Sequence, residues 1–442
     1  MSRELLDRVR VLVDDAGSRG ARGMRGALTR SRSSQVRWRD GELEQVREST
    51  TMSLELSLFV EGRFSSHTTS DLRPDALREF LDETIAMTRL LAEDPHRRLP
   101  DPERYAGRCT EDLQLCDAPG AASLTGVERR RLARTLEEAA RSEPGSERII
   151  SVDTRASDGD TETVVVASNG MEGVERNTYF VYFARCTVRD DGDRRPMDYS
   201  YAVALQRSDL PAPESIGATA TRRALALCGQ RPRPGGTYAC VIENRAAGNP
   251  IGSLFEPLQG HNIQQGQSCL ADKAGQQIAS PLLTIIDDPH IVRGLGSSTF
   301  DSEGMATRRR PIIERGVLRG FYLNTYYASR LGLEPTTGSQ GNLVFEPGPR
   351  DLEGLLQAMG TGLLVTDFVG GNSNATTGDF SVGVSGHWIE GGRRVHPVSG
   401  MNLAGNLLQS WHKLVEVGSD AFPYGEVRVP SLRFEGLQFS GV

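Results

Sequence analysis

The chain is 442 residues long, more than one ordinary hydrophobic core accommodates, so two or three domains are expected. Its formal charge of −7 supplies no electrostatic footprint for nucleic acid, and no apolar run approaches the roughly 18 residues of a membrane span. With no signal-peptide core after Met1, the expectation is a cytoplasmic protein with neither nucleic-acid nor membrane partners.

Leu5, Leu6, Val9, Leu12 and Val13 recur at helical spacing, which predicts an amphipathic helix over 2–17 with Ser2 as N-cap and Gly17 as stop. After a basic loop, residues 34–48 read as two strands joined at Asp40-Gly41, a dipeptide suited to a two-residue hairpin. Leu54, Leu56 and Leu58 alternate with polar residues and predict a half-buried third strand over 52–60; residues 64–69 read as a fourth. A helix over 71–92 follows, with Leu77, Phe80, Leu81, Ile85 and Leu90 on its inner side. The proline-marked stretch 94–102 is a linker and places a boundary near residue 100.

Residues 125–141 predict a helix, with Thr125 as N-cap and Glu128 as the reciprocal member of a capping box. Strands at 149–154, 162–168, 178–189 and 198–206 precede a further helix over 214–228. The chain holds 48 glycines, which favour turns and short strands, and beyond Gly235 these dominate without a fixed repeat. Short helices are expected at 253–259, at 352–359 after Asp351 as N-cap, and at 403–417, where Leu407, Leu408, Trp411, Leu414 and Val415 form one stripe. Residues 278–286 are dense in Leu and Ile and read as a strand buried on both faces, stopped by Asp287-Asp288-Pro289. Residues 311–318 are hairpin-like. The whole predicts an α+β chain: an N-terminal helix and antiparallel-sheet domain (1–98), a middle α+β domain (99–230), and a C-terminal glycine-rich, twisted or barrel-like β domain with a few helices (231–442).

Candidate chemistry is sparse. Six cysteines without a CxxC pair read as reduced thiols, and no Gly-x-Ser-x-Gly elbow supports a serine hydrolase. The seven histidines include no pair four or five apart; His387 and His396 flank a turn at Gly391-Gly392 and read best as exposed polar residues. Gly294 and Gly296 lack the third glycine and following helix of a dinucleotide fingerprint and mark a turn. Asp301 and Glu303 lie two apart, so on a strand they point the same way. Turn-capping or a salt bridge to Arg308, Arg309 or Arg310 is favoured for them over acid–base work. Gly370-Gly371-Asn372 and Thr377-Gly378-Asp379-Phe380-Ser381 admit two readings. One is a glycine-rich barrel corner with its strand; the other is an exposed edge at 380–385 that pairs with an extended peptide.

An ordered set of short motifs carries a family resemblance. These are Gly266-Gln267-Ser268, residues 275–280, Asp287-Asp288-Pro289, Phe300-Asp301-Ser302-Glu303-Gly304, Gly316-Val317-Leu318, Thr337-Gly338, Thr377-Gly378-Asp379-Phe380-Ser381 and Val417-Gly418-Ser419-Asp420. In this order the chain resembles the PmbA/TldD family, its TldE (PmbA) branch more than its TldD branch. The resemblance implies a cytoplasmic zinc metallopeptidase of unfolded or small peptides, assembled from a TldD-like and a TldE-like subunit. In the TldD branch zinc is held by His-Glu-x-x-x-His on a helix and by a cysteine near the C-terminus, since imidazoles four or five apart share a helical face. The corresponding residues here, 251–261, contain Glu256 and His261 without the motif, and no cysteine follows Asp420.

The resemblance therefore implies no catalytic residue and no metal in this chain, with zinc in a TldD-like partner. It also favours the peptide-holding reading of Gly370, Gly371, Asn372, Thr377, Gly378, Asp379, Phe380 and Ser381. The alternative is a non-catalytic homodimer that binds or matures peptides without a TldD-like partner. Family members are also called modulators of DNA gyrase, but the composition of this sequence supports no contact with gyrase or DNA.

Overall fold

The computed structural model describes residues 2–441; the side chain of Ser2, the expected cap of the first helix, lies outside the described residues. Helix α1 (Ser2–Ser18) leads into β1 (Gly23–Arg39) and β2 (Glu42–Val60), then β3 (Arg63–Thr69) and α2 (Pro74–Thr88). After α3 (Ala118–Ser123) and α4 (Gly126–Ser142) come β4 (Ile149–Ala167), β5 (Glu172–Val188), β6 (Met197–Ala204) and α5 (Pro213–Ala226). All six strands form one antiparallel sheet in the order β3-β2-β1-β4-β5-β6. The stretches 1–98 and 99–230 thus share a sheet, joined by β1–β4 pairing from Arg25 opposite Ala167 to Arg39 opposite Asp153.

Strand alternation sorts the two faces of this sheet. Met24, Leu28, Leu54, Leu56, Leu58, Val164 and Val166 are buried with Val9, Leu12 and Val13 of α1 and Leu81 and Ile85 of α2. Val36, Val152, Ala156, Phe180, Tyr182 and Ala184 are buried on the same side, with Leu132 and Leu136 of α4 and Ile216 and Ala220 of α5. Gly26 permits the approach of α1, since a Cβ there would sit 2.7 Å from Val9 Cγ1. Among the described residues the opposite face carries no helix. It presents Arg25, Thr29, Ser31, Ser33, Gln35 and Arg37 of β1, all half-buried.

Several expectations shift here. Strand β1 starts at Gly23, inside the expected basic loop, and β2 runs unbroken through the expected third strand. Strand β4 fuses the strands expected at 149–154 and 162–168, because Asp158 and Asp160 in its polar middle pair with Arg32 and Arg30 of β1. Helix α2 ends at Thr88, which leaves Leu90 86% exposed instead of inward. Thr125 caps α4, accepting from the Glu128 N–H at 3.2 Å, whereas the Glu128 carboxylate turns to Arg131 and Arg207 and does not close the box.

The C-terminal region begins with β7 (Arg231–Pro232), β8 (Gly236–Ile242), α6 (Asn244–Phe255) and α7 (Gly260–Gln264). It continues with β9 (Ile285–Asp288), β10 (Arg310–Glu314), β11 (Val317–Leu318), α8 (Thr325–Leu331), β12 (Asn342–Phe345) and α9 (Leu352–Met359). Then follow β13 (Gly362–Ser373), β14 (Asp379–Glu390), β15 (Arg393–Asn406), α10 (Leu407–His412), β16 (Leu414–Val417), β17 (Val427–Arg428) and β18 (Leu432–Ser440). One sheet runs β11-β10-β9-β12-β17. The other runs β16-β18-β8-β13-β14-β15-β7 and closes through an added β18–β15 pairing, so that β8, β13, β14, β15 and β18 form a five-stranded barrel. The expected α+β class with a barrel-like C-terminal domain is what the structure shows. Among the described residues no helix is long and apolar enough to cross a membrane, and all six cysteines are free.

Two local readings fail here for identifiable reasons. The stripe over 403–417 is not one helix: Leu403 lies on β15 opposite Phe439, α10 spans only Leu407–His412, and Leu414 opens β16. The dense stretch 278–286 is mostly turns, with β9 starting at Ile285; Ile278 and Leu283 are buried while Leu282 is 53% exposed. The C-terminal region is tied to the sheet by ion pairs, in which Arg223 of α5 donates to Glu243 at 2.7 and 2.8 Å and Arg245 of α6 to Asp198 of β6 at 2.6 Å.

Candidate functional site

Where the helix-free face of the six-stranded sheet meets the C-terminal loops, a polar cleft of about 370 Å³ opens. The sheet contributes Arg25, Ala27, Thr29, Glu55, Thr163 and Glu175, and the loops bring Asp287, Ser298, Asp301, Arg308 and Thr337. Three motifs of the family resemblance, 287–289, 300–304 and 337–338, therefore stand at its wall. The sheet residues escape sequence reasoning because they sit on the stretch of β1 expected as a loop and on its neighbours. Had residues 23–33 been read as a strand, the odd-numbered alternation of Arg25, Thr29, Ser31 and Ser33 is the signal that finds them.

The loop 301–304 is a tight turn with Gly304 at φ 88°, so Asp301 and Glu303 do not share a strand face. Asp301 caps this turn: its Oδ1 accepts from the N–H groups of Glu303 at 2.9 Å and Met305 at 3.0 Å. Its Oδ2 is buried and, among the described residues, makes no hydrogen bond of normal geometry. Burial, then repulsion from Glu303, pushes the Asp301 carboxyl up to about 6, against the pull of the nearby N–H groups. Glu303 accepts from Thr325 N and Oγ1 at 2.7 and 2.9 Å, and burial raises its value too. Burial likewise raises Glu175, whose carboxylate accepts from Ser298 Oγ at 2.5 Å, and Asp287, which takes Tyr322 OH at 3.1 Å. Of the two expected readings Asp301 takes turn-capping; among the described residues neither carboxylate pairs with Arg308, Arg309 or Arg310, since Arg309 pairs with Asp288, and Arg310 donates to Phe321 O and Thr337 Oγ1. The cleft thus concentrates the carboxyl groups of Asp301, Glu175 and Asp287, whose hold on a proton burial strengthens.

The eight sequence-chosen residues gather elsewhere, on the hairpin of β13 and β14. Gly370 and Gly371, at φ 62° and 114°, form a bulge in β13, and Asn372 pairs with Ser381. Thr377 Oγ1 accepts from Asp379 N, and Asn406 Nδ2 bonds both Thr377 O and Asp379 Oδ1. Gly378 turns the chain, and Phe380 faces an apolar pocket with Phe368, Leu403, Trp411 and Phe434. None of the eight lines the polar cleft. The expected edge at 380–385 is not one: β14 is paired along its length with β13 on one side and β15 on the other.

Nor do histidines assemble. His387 is buried and shares a hydrogen bond with Ala226 O, and its strand partner is Pro397, so it does not face His396. His67, His96 and His290 each bond a hydroxyl, and His261 stands beside the ring of Tyr327. Among the described residues no group of three or more His, Cys, Asp and Glu side chains is arranged to hold a metal ion.

Comparison with known proteins places this geometry. The models of PmbA/TldA metallopeptidase domain 1, central domain and C-terminal domain match residues 27–88, 121–227 and 235–441 in that order. A Bacteroides thetaiotaomicron protein carrying the name modulator of DNA gyrase is 37% identical, with a TM-score of 0.95 over 99% of this chain and 98% of that one. The chain belongs to the PmbA/TldD metallopeptidase family. Metalloprotease PmbA of Escherichia coli O157:H7 is 29% identical over 95% of this chain and 92% of its own length. TldE from Thermococcus kodakarensis, at 20% identity, shares the fold with a TM-score of 0.85 over 98% of this chain and all of that one. Relatives within the PmbA/TldD family are thus named metalloproteases, and peptidase chemistry is a property of the family.

Proposed function

We propose that this chain is the metal-free, TldE-like subunit of a two-subunit PmbA/TldD-type metallopeptidase. It shapes the reaction chamber and holds an unfolded peptide by its backbone while a zinc-bearing TldD-like subunit cuts. One observation carries the reading: the chain is kin to metalloproteases along its length, yet its described residues offer no group of ligands for a metal. The helix-free polar face, its cleft and the glycine-rich β13–β14 hairpin are surfaces on which an extended chain finds donors and acceptors. Selection by extension and disorder, not by one side chain, follows from such a surface. Cytoplasmic location belongs to the same reading.

Co-expression with a TldD-like subunit bearing His-Glu-x-x-x-His tests it. A stoichiometric complex that contains zinc and cleaves unfolded casein, beside a lone chain that does neither, is the expected result. A pure lone chain with stoichiometric zinc and chelator-sensitive cleavage overturns it. A stable homodimer that binds peptides and ignores the TldD-like subunit supports the scaffold alternative.

A further inference from the structure

The helix-free sheet face carries a second polar assembly, at the end remote from the cleft. Arg37 of β1 lies opposite Arg155 of β4, and Asp153 opposite both Arg39 and Arg185. Asp153 is 2% exposed; it accepts from Arg37 Nε and Nη2 at 2.8 and 2.9 Å and from Arg185 Nη2 at 2.7 Å. Arg155 and Arg39 stand at 3.6 and 4.0 Å from the same carboxylate, and Glu44 pairs with Arg37 and Arg39. Four guanidiniums therefore face two carboxylates, leaving a surplus of two positive charges.

The Arg155 side chain makes no hydrogen bond among the described residues, and its Nε is buried without a partner. It lies 4.8 Å from the ring of Phe183, which begins a row continued by Tyr199 and Tyr201 with centroids 5.9 and 6.1 Å apart, each pair tilted by 22°. Within the described residues no hydrogen bond uses the hydroxyl of Tyr199 or Tyr201. Asp153 is already saturated by Arg37 and Arg185, and Arg39 pairs with Glu44, so Arg155 is left without a close partner, and an incoming anion relieves its repulsion with the other guanidiniums.

We propose that this end of the sheet is a carboxylate-binding site for an extended acidic peptide, with Arg155 and the Tyr199 and Tyr201 hydroxyls as its free donors. The inference rests on the peptide-holding reading and specifies its substrate class. A nucleic acid fits less well, because the rings stack on one another and have little face left for bases. The two ends of the face also differ in sign. From Arg155 to Thr163 at the carboxyl-rich cleft, β4 advances eight residues, about 26 Å at ~3.3 Å each, a span matching roughly eight residues of extended peptide. Such a peptide lies with acidic side chains on Arg155 and its amino end toward Glu175 and Asp301.

Fluorescence anisotropy with the purified full chain tests this, using labelled peptides of about ten residues rich in Glu, Gln or Lys, at ~50 and ~300 mM salt, and a labelled oligothymidylate. The Glu peptide is expected to bind at least about tenfold tighter than the Gln peptide at low salt, and Arg155→Gln to erase that preference with near-UV circular dichroism unchanged. Arg155→Lys restores part of it, and Tyr201→Phe, which keeps the ring, weakens it even if the arginine variant folds poorly. Equal binding of all three peptides overturns this inference and leaves the peptide-holding reading intact; binding of none removes both. An Arg155-dependent oligothymidylate complex tighter than the Glu complex also overturns it, in favour of nucleic acid.

Discussion

Asp301 offers the sharpest energetic test of the cleft. Its carboxyl sits at about 6 in the folded chain against an ordinary 3.8, so the folded state binds the proton more tightly than the unfolded one. Stability present below about pH 4 is therefore withdrawn as pH rises through 4 to 6. The difference of about 2 pH units amounts to ~3 kcal/mol at most, at ~1.36 kcal/mol per unit. Asp301→Asn removes this titration while Oδ1 still accepts from Glu303 and Met305. The new amide replaces an atom that makes no hydrogen bond of normal geometry and costs about 1–3 kcal/mol at every pH, a constant that cancels when the pH profiles are compared. Urea unfolding of both proteins between pH 4 and 7.5 measures the difference. The variant is expected to gain about 2–3 kcal/mol on the native chain across that interval, with Glu303, Glu175 and Asp287 titrating in both. A native chain that gains on the variant as pH rises refutes a carboxyl held neutral by burial.

Other expectations follow from geometry. Arg129→Met leaves Asp158, fully buried, with Arg32 as its remaining ion partner and costs about 3 kcal/mol, read as a lowered thermal midpoint. Gly386→Ala drives a Cβ to 1.8 Å from Leu364 O between β13 and β14 and loses more than the ~1–2 kcal/mol of Gly370→Ala, where φ is 62° but the space is open. Urea midpoints rank the two. A chelator added to the lone chain leaves its thermal midpoint unchanged, whereas a fall of several degrees reveals a bound ion the ligand geometry does not foresee.

Much of the architecture is legible where local chemistry decides the outcome. Asp40-Gly41 takes the positive φ values of 50° and 85° that its hairpin demands, and Asp351 caps α9 by accepting from Gly354 N at 2.9 Å. Legibility ends where a distant strand decides. Leu403, Leu407, Trp411 and Leu414 recur at helical spacing, yet β18 recruits the first into the barrel and the last into β16. Residues 23–33, rich in Arg and Ser, are extended because β2 and β4 flank them on both sides. The cleft obeys the same division. Its loop half is visible as ordered motifs, while Glu55, Thr163 and Glu175 are assembled by a register that no single stretch records. An edge was expected at 380–385 because sequence does not say which neighbour a strand will have, and β15 fills that place.

Barrel closure through β18 has a consequence for biosynthesis. In vectorial translation β8 is made first and β18 last of the five staves, and the two must meet across nearly the whole C-terminal region. Until residues 432–440 emerge, β8 and part of β15 keep unsatisfied seams of the kind that recruit chaperones or template aggregation. A premature stop just before Leu432 therefore yields an unstitched sheet and not a smaller barrel, a nascent product destined for quality control.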